Sequence, residues 1–581
     1  MKKTTCNFSL QQYDNIRPTK GYHFYWLTAL LLFCSMGSAY AQTSYNKYWV
    51  GFADKANTAY LLSHPENFLS ERAIDRRLRY RIPLTKADLP VSPNHLQSVR
   101  QSGATVLYPS KWFNGAVVSI ENPNVLEELK KLPFVTEVTA IGKDKKKRRN
   151  VTITSKFSDV QLKVEDEDEP EESIYYGAAF HQIEMLKGDY LHAHGFTGEG
   201  MLIAVIDAGF SNVEKMEVFQ HLYENHKIVG TYDFVDIDQN PYHDSTHGTH
   251  VLSTIAAKLP GQFVGTAPDA SFWLFRTEDN KSESRIEEYN WVAAAEMADS
   301  AGVDVINTSL GYTTFDDSSM DYSAEDLNGN TAVITRGADI AASKGMLVVV
   351  SAGNKGNKQW QYLTTPADAD SVLTVGAVNK DEKYASFSSI GLEIDSNNKV
   401  KPNLMAQGQS AETVTVDGTI QNANGTSFSS PIMAGLVTCL LQAHPRQNPQ
   451  AIIAALEKSA SQYEIPSQEM GYGIPDFQSA HLRLSELAPS NMPAPATAFV
   501  YPNPFDDTAR VYYYAPRSES ITLQLFDLTG RLYEEYHTDV LSEQPYKFDF
   551  SAWQSAPKGI YVVRIANAFE RIALQAVKTS D

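Results

Sequence analysis

Four polar side chains, spread widely along the sequence, have the types that acyl transfer requires. Ser427 lies in a Gly-Thr-Ser turn that opens an apolar run with helical spacing. Asp207 ends one apolar run, Asn354 follows another, and His247 stands at the start of a helical pattern. A serine hydroxyl is a poor nucleophile until a base takes its proton, and a carboxylate can orient that base. The set therefore indicates hydrolysis through a covalent serine intermediate.

Each residue type has its own role in this chemistry. Ser427 would attack a carbonyl carbon, and His247 would take the hydroxyl proton and return it to the leaving group. Asp207 would fix the histidine tautomer, and the Asn354 side-chain N–H would stabilise the tetrahedral oxyanion together with the Ser427 backbone N–H. Any one of these residues alone is better explained as structural, but the combination favours catalysis.

Buried strands that alternate with helices must position these groups. Short apolar runs predict strands at 202–206, 303–307, 346–350 and 372–375, and periodic stretches predict helices at 286–300 and 333–344. Such alternation is typical of an α/β fold, with a parallel sheet covered by helices on both faces. Functional groups of such sheets gather at the carboxyl ends of the strands, where the four segments fall.

Changes of composition divide the rest of the sequence. We predict a small α+β domain with a helix at 65–80, and a C-terminal β-sandwich of short strands. The predicted segments are a signal peptide at 1–41, the α+β domain at 42–142, a charged linker at 143–173, the α/β domain at 174–488, a second linker at 489–498 and the sandwich at 499–581.

Composition and targeting signals restrict the class of protein. The 581 residues are 43% hydrophobic and 20% charged, as in folded proteins. A formal charge of -19 argues against a nucleic-acid partner. The apolar run at 24–36 is shorter than the roughly 20 residues of a membrane-spanning helix, and Ala39-Tyr40-Ala41 offers a cleavage site. We therefore expect an exported chain without a transmembrane span in its mature form, and an uncleaved anchor is the alternative.

The central segment resembles the subtilisin-like (S8) serine proteases. The resemblance rests on the order Asp, His, Ser and on two motifs, His247-Gly248-Thr249-His250 and Gly425-Thr426-Ser427 with Pro431. It implies a serine endopeptidase acting on proteins or peptides. It also implies that an edge strand and the wall of a specificity pocket bind substrate; the matching residues are Ser309, Leu310, Gly311, Ala352 and Gly353.

The flanking domains carry resemblances of their own. The 42–142 domain is similar to the family's inhibitory propeptide, which implies a zymogen cut within the charged linker; a permanent substrate-binding module is the alternative. Residues 499–581 resemble the type A sorting domain of type IX secretion, through Tyr501-Pro502-Asn503-Pro504 and Gly559-Ile560-Tyr561. That implies passage through the periplasm to the cell surface or the medium, and a ligand-binding sandwich is the alternative.

Two further expectations concern cofactors and competing functions. The chemistry requires no cofactor, and His243, His247 and His250 lack the spacing of a catalytic zinc site. Structural calcium is common in the family the sequence resembles, so it stays open as an alternative, without named ligands; the acidic cluster at 316–326 is better explained as a solvated loop. The competing functions are an inactive protease-like surface adhesin or binding protein and, less favoured, an esterase with the same triad.

Overall fold

The computed structural model of the protein describes residues 45–58, 60–143, 173–392, 400–487, 497–501, 503–515, 517–541, 544–568 and 571–580. The predicted signal peptide, nearly all of the predicted charged linker and most of the second linker lie outside these residues.

The N-terminal domain is a four-stranded antiparallel sheet with helices. Its elements are β1 (Lys47–Phe52), α1 (Glu71–Tyr80), α2 (Pro93–Gln101), β2 (Thr105–Ser110), β3 (Gly115–Ser119), α3 (Asn124–Lys130) and β4 (Val135–Gly142). The strand order is β2-β3-β1-β4, and every pairing is antiparallel. The helix expected at 65–80 begins only at Glu71, because the Ser70 side chain caps it by accepting the Ala73 N–H.

The central domain is built on a seven-stranded parallel sheet. Its strands are β5 (Leu202–Asp207), β6 (Ile228–Asp233), β9 (Ser271–Arg276), β10 (Val305–Thr308), β11 (Leu347–Ser351), β12 (Leu373–Val378) and β13 (Leu404–Gln407). Two small hairpins are formed by short strands: β7 (Lys258–Leu259) pairs with β8 (Phe263–Val264), and β14 (Ala411–Val414) pairs with β15 (Ile420–Ala423). The order is β13-β12-β11-β10-β5-β9-β6. All residues of β5, β10, β11 and β12 are buried, as expected for strands covered on both faces. The predicted α/β fold is confirmed.

Helices cover both faces of this sheet. They are α4 (Ser173–Tyr176), α5 (Phe180–Glu184), α6 (Gly188–Ala193), α7 (Gln220–Glu224), α8 (His247–Ala256), α9 (Ile286–Ala301), α10 (Val333–Ser343), α11 (Thr426–Ala443), α12 (Pro449–Ser459) and α13 (Phe477–Leu487). Among the described helices, α11 alone has the length and hydropathy to cross a membrane. Its apolar window is 89% buried inside the protein, as in a core helix.

The C-terminal domain consists of antiparallel strands in two sheets. They are β16 (Thr497–Tyr501), β17 (Arg510–Tyr514), β18 (Glu519–Asp527), β19 (Leu532–Val540), β20 (Pro545–Asp549), β21 (Gly559–Ala566) and β22 (Arg571–Lys578). The sheet orders are β16-β17-β20 and β19-β18-β21-β22. Side chains of both sheets, including Val511, Leu523 and Val563, share one apolar core. The C-terminal part is therefore a β domain, as predicted.

Candidate active site

Asp207 and His247 meet at the carboxyl edge of the parallel sheet. Asp207 is the last residue of β5, and His247 is the first residue of α8. The His247 Nδ1 lies 2.7 Å from Asp207 Oδ1, and both residues are buried. The Ala208 N–H donates to the same oxygen at 2.7 Å. A buried carboxylate bonded to Nδ1 fixes the orientation of the imidazole and leaves Nε2 to exchange a proton.

Ser427 lies in the first turn of α11, at the same edge. Its hydroxyl donates to the Ser309 carbonyl at 3.3 Å, and the Ser309 hydroxyl donates to the Ser427 carbonyl at 3.0 Å. The Ser427 carbonyl can accept this bond because Pro431, four residues on, has no N–H to donate to it. The Phe428 ring, next in the helix, lies 6.1 Å from the His247 ring between centroids.

Asn354 is oriented by the turn that leads into α11. Its Oδ1 accepts hydrogen bonds from the Thr426 N–H at 2.8 Å and from the Thr426 hydroxyl at 3.0 Å. The amide nitrogen Nδ2 thus points the other way, and no acceptor within the described part of the chain takes a bond from it. Gly425 has φ +154°, and a Cβ there would lie 3.4 Å from Nδ2. The contact would be an ordinary one, so it is the backbone conformation that favours glycine here.

The predicted substrate-binding residues follow two neighbouring strands of the sheet, β10 and β11. Leu310 and Gly311 follow β10, and their backbone groups form no backbone hydrogen bond with any other described residue. Ala352 and Gly353 follow β11 and are buried. The Gly353 N–H donates to the Thr426 hydroxyl at 3.1 Å, which joins this segment to the serine turn.

A buried residue that supports the site, Asn307, was not predicted from the sequence. Asn307, in β10, donates from Nδ2 to the Ser309 hydroxyl at 3.0 Å. Its Oδ1 accepts the Ser430 hydroxyl of α11 at 3.0 Å. This amide ties the strand to the helix on which Ser427 lies. An asparagine inside an apolar strand was the available signal, since a buried amide needs partners.

Comparison with known proteins identifies the family. Residues 198–473 match the subtilase family, Peptidase S8. Subtilisin NAT from Bacillus subtilis subsp. natto is 31% identical over 386 residues, which cover 66% of this chain and 84% of that protein. Subtilisin from Bacillus pumilus is 33% identical over 313 residues, covering 53% of this chain and 99% of that protein. The chain belongs to the subtilase family. It is a serine endopeptidase, and the comparisons do not support the alternative of an inactive binding protein.

Both flanking domains of this subtilase also match known families. Residues 47–156 match the Peptidase S8 propeptide domain of Bacteroidota, and residues 499–578 match the secretion system C-terminal sorting domain. These resemblances, predicted from the sequence, are confirmed. The sorting domain indicates a secreted or cell-surface protein, and the two domains are called the propeptide and the sorting domain below.

A cavity of about 330 Å³ opens beside Leu310 and Gly311 of the subtilase. Its charged lining consists of Glu278, Glu283, Asp316 and Lys355. The lining therefore carries more negative than positive charge. Such a surface attracts cationic groups and repels anionic ones.

Among the described residues, two clusters bring together side chains of the types that ligate metals, and members of both have protein partners. Arg276 pairs through Nη1 with Asp233 at 2.6 Å and with Asp236 at 2.9 Å, next to His243. In the second group, Glu278, Glu283 and Glu287 approach one another. The Tyr312 hydroxyl donates to Glu278, and the Asp279 N–H donates to Glu287 at 2.8 Å.

Proposed function

We propose that this subtilase hydrolyses peptide bonds through an acyl-enzyme on Ser427. His247 takes the hydroxyl proton through Nε2 as the carbonyl is attacked, then gives it to the leaving amine. Asp207 holds the imidazole and stabilises its charged form. A water molecule, deprotonated by the same imidazole, then attacks the acyl group and releases Ser427. The observation that carries this proposal is the buried 2.7 Å contact between Asp207 and His247. No cofactor takes part.

Asn354 is proposed as the side-chain donor to the oxyanion. The developing charge needs donors that are already in place before the reaction begins. Thr426 holds the amide through Oδ1, so Nδ2 does not have to reorient during the reaction. The backbone N–H of Ser427, in the first turn of a helix, is the second donor, since such groups have no partner within the helix.

The substrate is proposed to add as an extended strand along Leu310 and Gly311. The backbone groups there are available for pairing, and main-chain hydrogen bonds of this kind suit a peptide better than a simple ester. Ser309 borders the strand at the serine, and Ala352 and Gly353 would form the opposite wall of the pocket. The acidic cavity beside the strand leads us to expect faster cleavage of peptides with a basic residue near the cut bond.

The remaining domains are proposed to control export and activation. A signal peptide at 1–41 would deliver the chain to the periplasm, and the sorting domain would then direct it through the type IX machinery. The propeptide would keep the enzyme latent until cleavage in the linker at 143–173, where like charges favour an exposed, protease-accessible segment.

A fluorophosphonate probe tests the proposed nucleophile, because it labels an activated serine covalently. The purified protein should be labelled and should hydrolyse a casein-derived peptide. Ser427→Ala should abolish both, together with cleavage of the linker. Ser343→Ala, which changes an exposed serine on α10, is the matched control and should behave as the unchanged protein. Labelling that persists in Ser427→Ala would exclude Ser427 as the nucleophile.

A further inference from the structure

Helix α1 is one of the propeptide elements that lie against the catalytic domain. Arg76 of this helix is buried and pairs with Asp299 of α9 at 2.6 Å. Arg72 donates from Nε to the Gly302 carbonyl at 2.9 Å. A Cβ at Gly302 would lie 2.7 Å from the Ala73 nitrogen. The helix backbone thus reaches the enzyme directly, with arginines on that face.

The apolar face of α1 does not belong to the core of the propeptide sheet. That core includes Val50 and Val99 but no residue of α1. Ile74 and Leu78 of the helix instead form a separate apolar cluster, which is completed by Tyr512 of the sorting domain. The helix is therefore placed between two partners, the catalytic domain and the sorting domain.

Tyr512 is a surface residue of the sorting domain that the propeptide buries. Its neighbours in β17, Val511 and Tyr513, point into the core of the sorting domain. Because side chains alternate along a strand, Tyr512 points outward, yet it is only 2% exposed. Aromatic side chains of this kind dominate the affinity of many interfaces. An outward tyrosine buried by another domain marks a docking contact.

Charged residues surround this contact. Lys547 of β20 pairs with Glu71 of α1 at 2.7 Å, and its ammonium lies 6.0 Å from the centre of the Tyr512 ring. Arg510 lies 3.8 Å from Glu66 between charged atoms. Exposed ion pairs contribute little to binding, so these pairs orient the docking more than they strengthen it. Opposite charges nevertheless face each other at both places.

We propose that the sorting domain is a second binding partner of the propeptide and retains it on the enzyme after the linker is cut. This inference rests on the proposed latency of the zymogen. The sorting domain remains joined to the catalytic domain, so the cleaved propeptide bridges two surfaces of one molecule. Such bivalent binding can exceed the affinity of a single site by about 10²–10⁴-fold. Full activity then requires that the sorting domain be undocked or removed.

The test compares full-length protein with Tyr512→Ala and with Lys547→Glu. After linker cleavage, seen on a gel, the cleaved propeptide should co-elute with the unchanged enzyme in gel filtration. Tyr512→Ala should release it about 10–100-fold faster and shorten the delay before peptide hydrolysis by the same factor. Lys547→Glu should act in the same direction but less, and adding Glu71→Lys should restore retention. Arg571→Glu, in the other sheet of the sorting domain, is the control.

A second measurement tests the docking of the propeptide on the sorting domain even if the linker is never cut. In a Ser427→Ala background, hydrogen exchange of the α1 amides should be faster when Tyr512→Ala is added. Release rates and exchange equal to those of the parent proteins would overturn the docking role. Loss of hydrolysis in every variant, the unchanged protein included, would instead count against the proposed catalytic function. The turnover of fully matured enzyme should be the same for Tyr512→Ala and the unchanged protein, since the contact is remote from Ser427.

Discussion

Replacing Asp299 by asparagine should weaken the hold of the enzyme on its propeptide. Asp299 lies in α9 of the catalytic domain and is fully buried. Its carboxylate pairs with Arg76 at 2.6 Å, Arg77 at 2.9 Å and Lys111 at 3.0 Å, all from the propeptide. Burial alone would raise the pKa of Asp299, but these three cations hold that pKa well below its usual range. Asp299→Asn preserves the shape of the side chain and removes the charge.

The expected loss follows from the cost of leaving buried charges without their partner. Removing one member of a buried ion pair typically costs about 3–5 kcal/mol. Arg77 keeps a second partner, Asp88, at 2.8 Å, so the lower end of this range applies. A loss of about 3 kcal/mol corresponds to about a hundredfold weaker binding of the propeptide.

The assay uses full-length protein after linker cleavage. The rise of peptide hydrolysis reports release of the propeptide, and gel filtration shows the fraction still bound. Asp381→Asn, in an exposed turn of the same domain, is the matched control. Because the pKa of Asp299 is lowered, its contribution is present at neutral pH and is lost only as pH falls through that lowered value. Release of the propeptide at the unchanged rate in Asp299→Asn would refute the reasoning.

Three further changes test the site and the core. Asn354→Ala should lower kcat about 10²–10³-fold with little change in KM, measured with a chromogenic peptide; a changed KM at constant kcat would contradict the oxyanion role. Thr426→Val, which removes a 3.0 Å hydrogen bond to Asn354, should lower kcat about tenfold, and an unchanged kcat would show that the Thr426 N–H alone suffices. Burial raises the pKa of Glu288 to about 7, so the folded protein holds this proton more tightly than the unfolded chain does. The stabilisation that results from protonated Glu288 is lost as pH rises through 7. Glu288→Gln should therefore raise Tm, relative to the unchanged protein, more at pH 8 than at pH 5.5. Equal differences in Tm at both pH values would argue against a raised pKa of Glu288.

Much of the central domain could be predicted from local pattern. The apolar run at 202–206 became β5, and the helices expected at 286–300 and 333–344 are observed within one residue at each end. These elements are buried on both faces or along one face, so their periodicity is strong. Periodicity does not fix a boundary that is set by capping: the helix of the propeptide starts at Glu71 because Ser70 caps it.

The sequence by itself determined which residue types could perform the chemistry and in which order they occur. Local pattern can reveal their places: Asp207 ends a strand, Asn354 lies shortly after one, and His247 and Ser427 lie in the first turn of a helix. Their assignment as the catalytic set remains a prediction, supported by membership of the subtilase family.

Only the tertiary structure decided the contacts between residues distant in sequence. The amide of Asn307 joins β10 to α11, and Tyr512 of the sorting domain packs on a helix more than 400 residues earlier in the chain, as the numbering shows. Nothing local distinguishes Tyr512 from Tyr513 beside it, because both suit a β-strand equally well. Which of them faces its own core and which faces another domain depends on strand register and domain packing, and these are set by the whole fold.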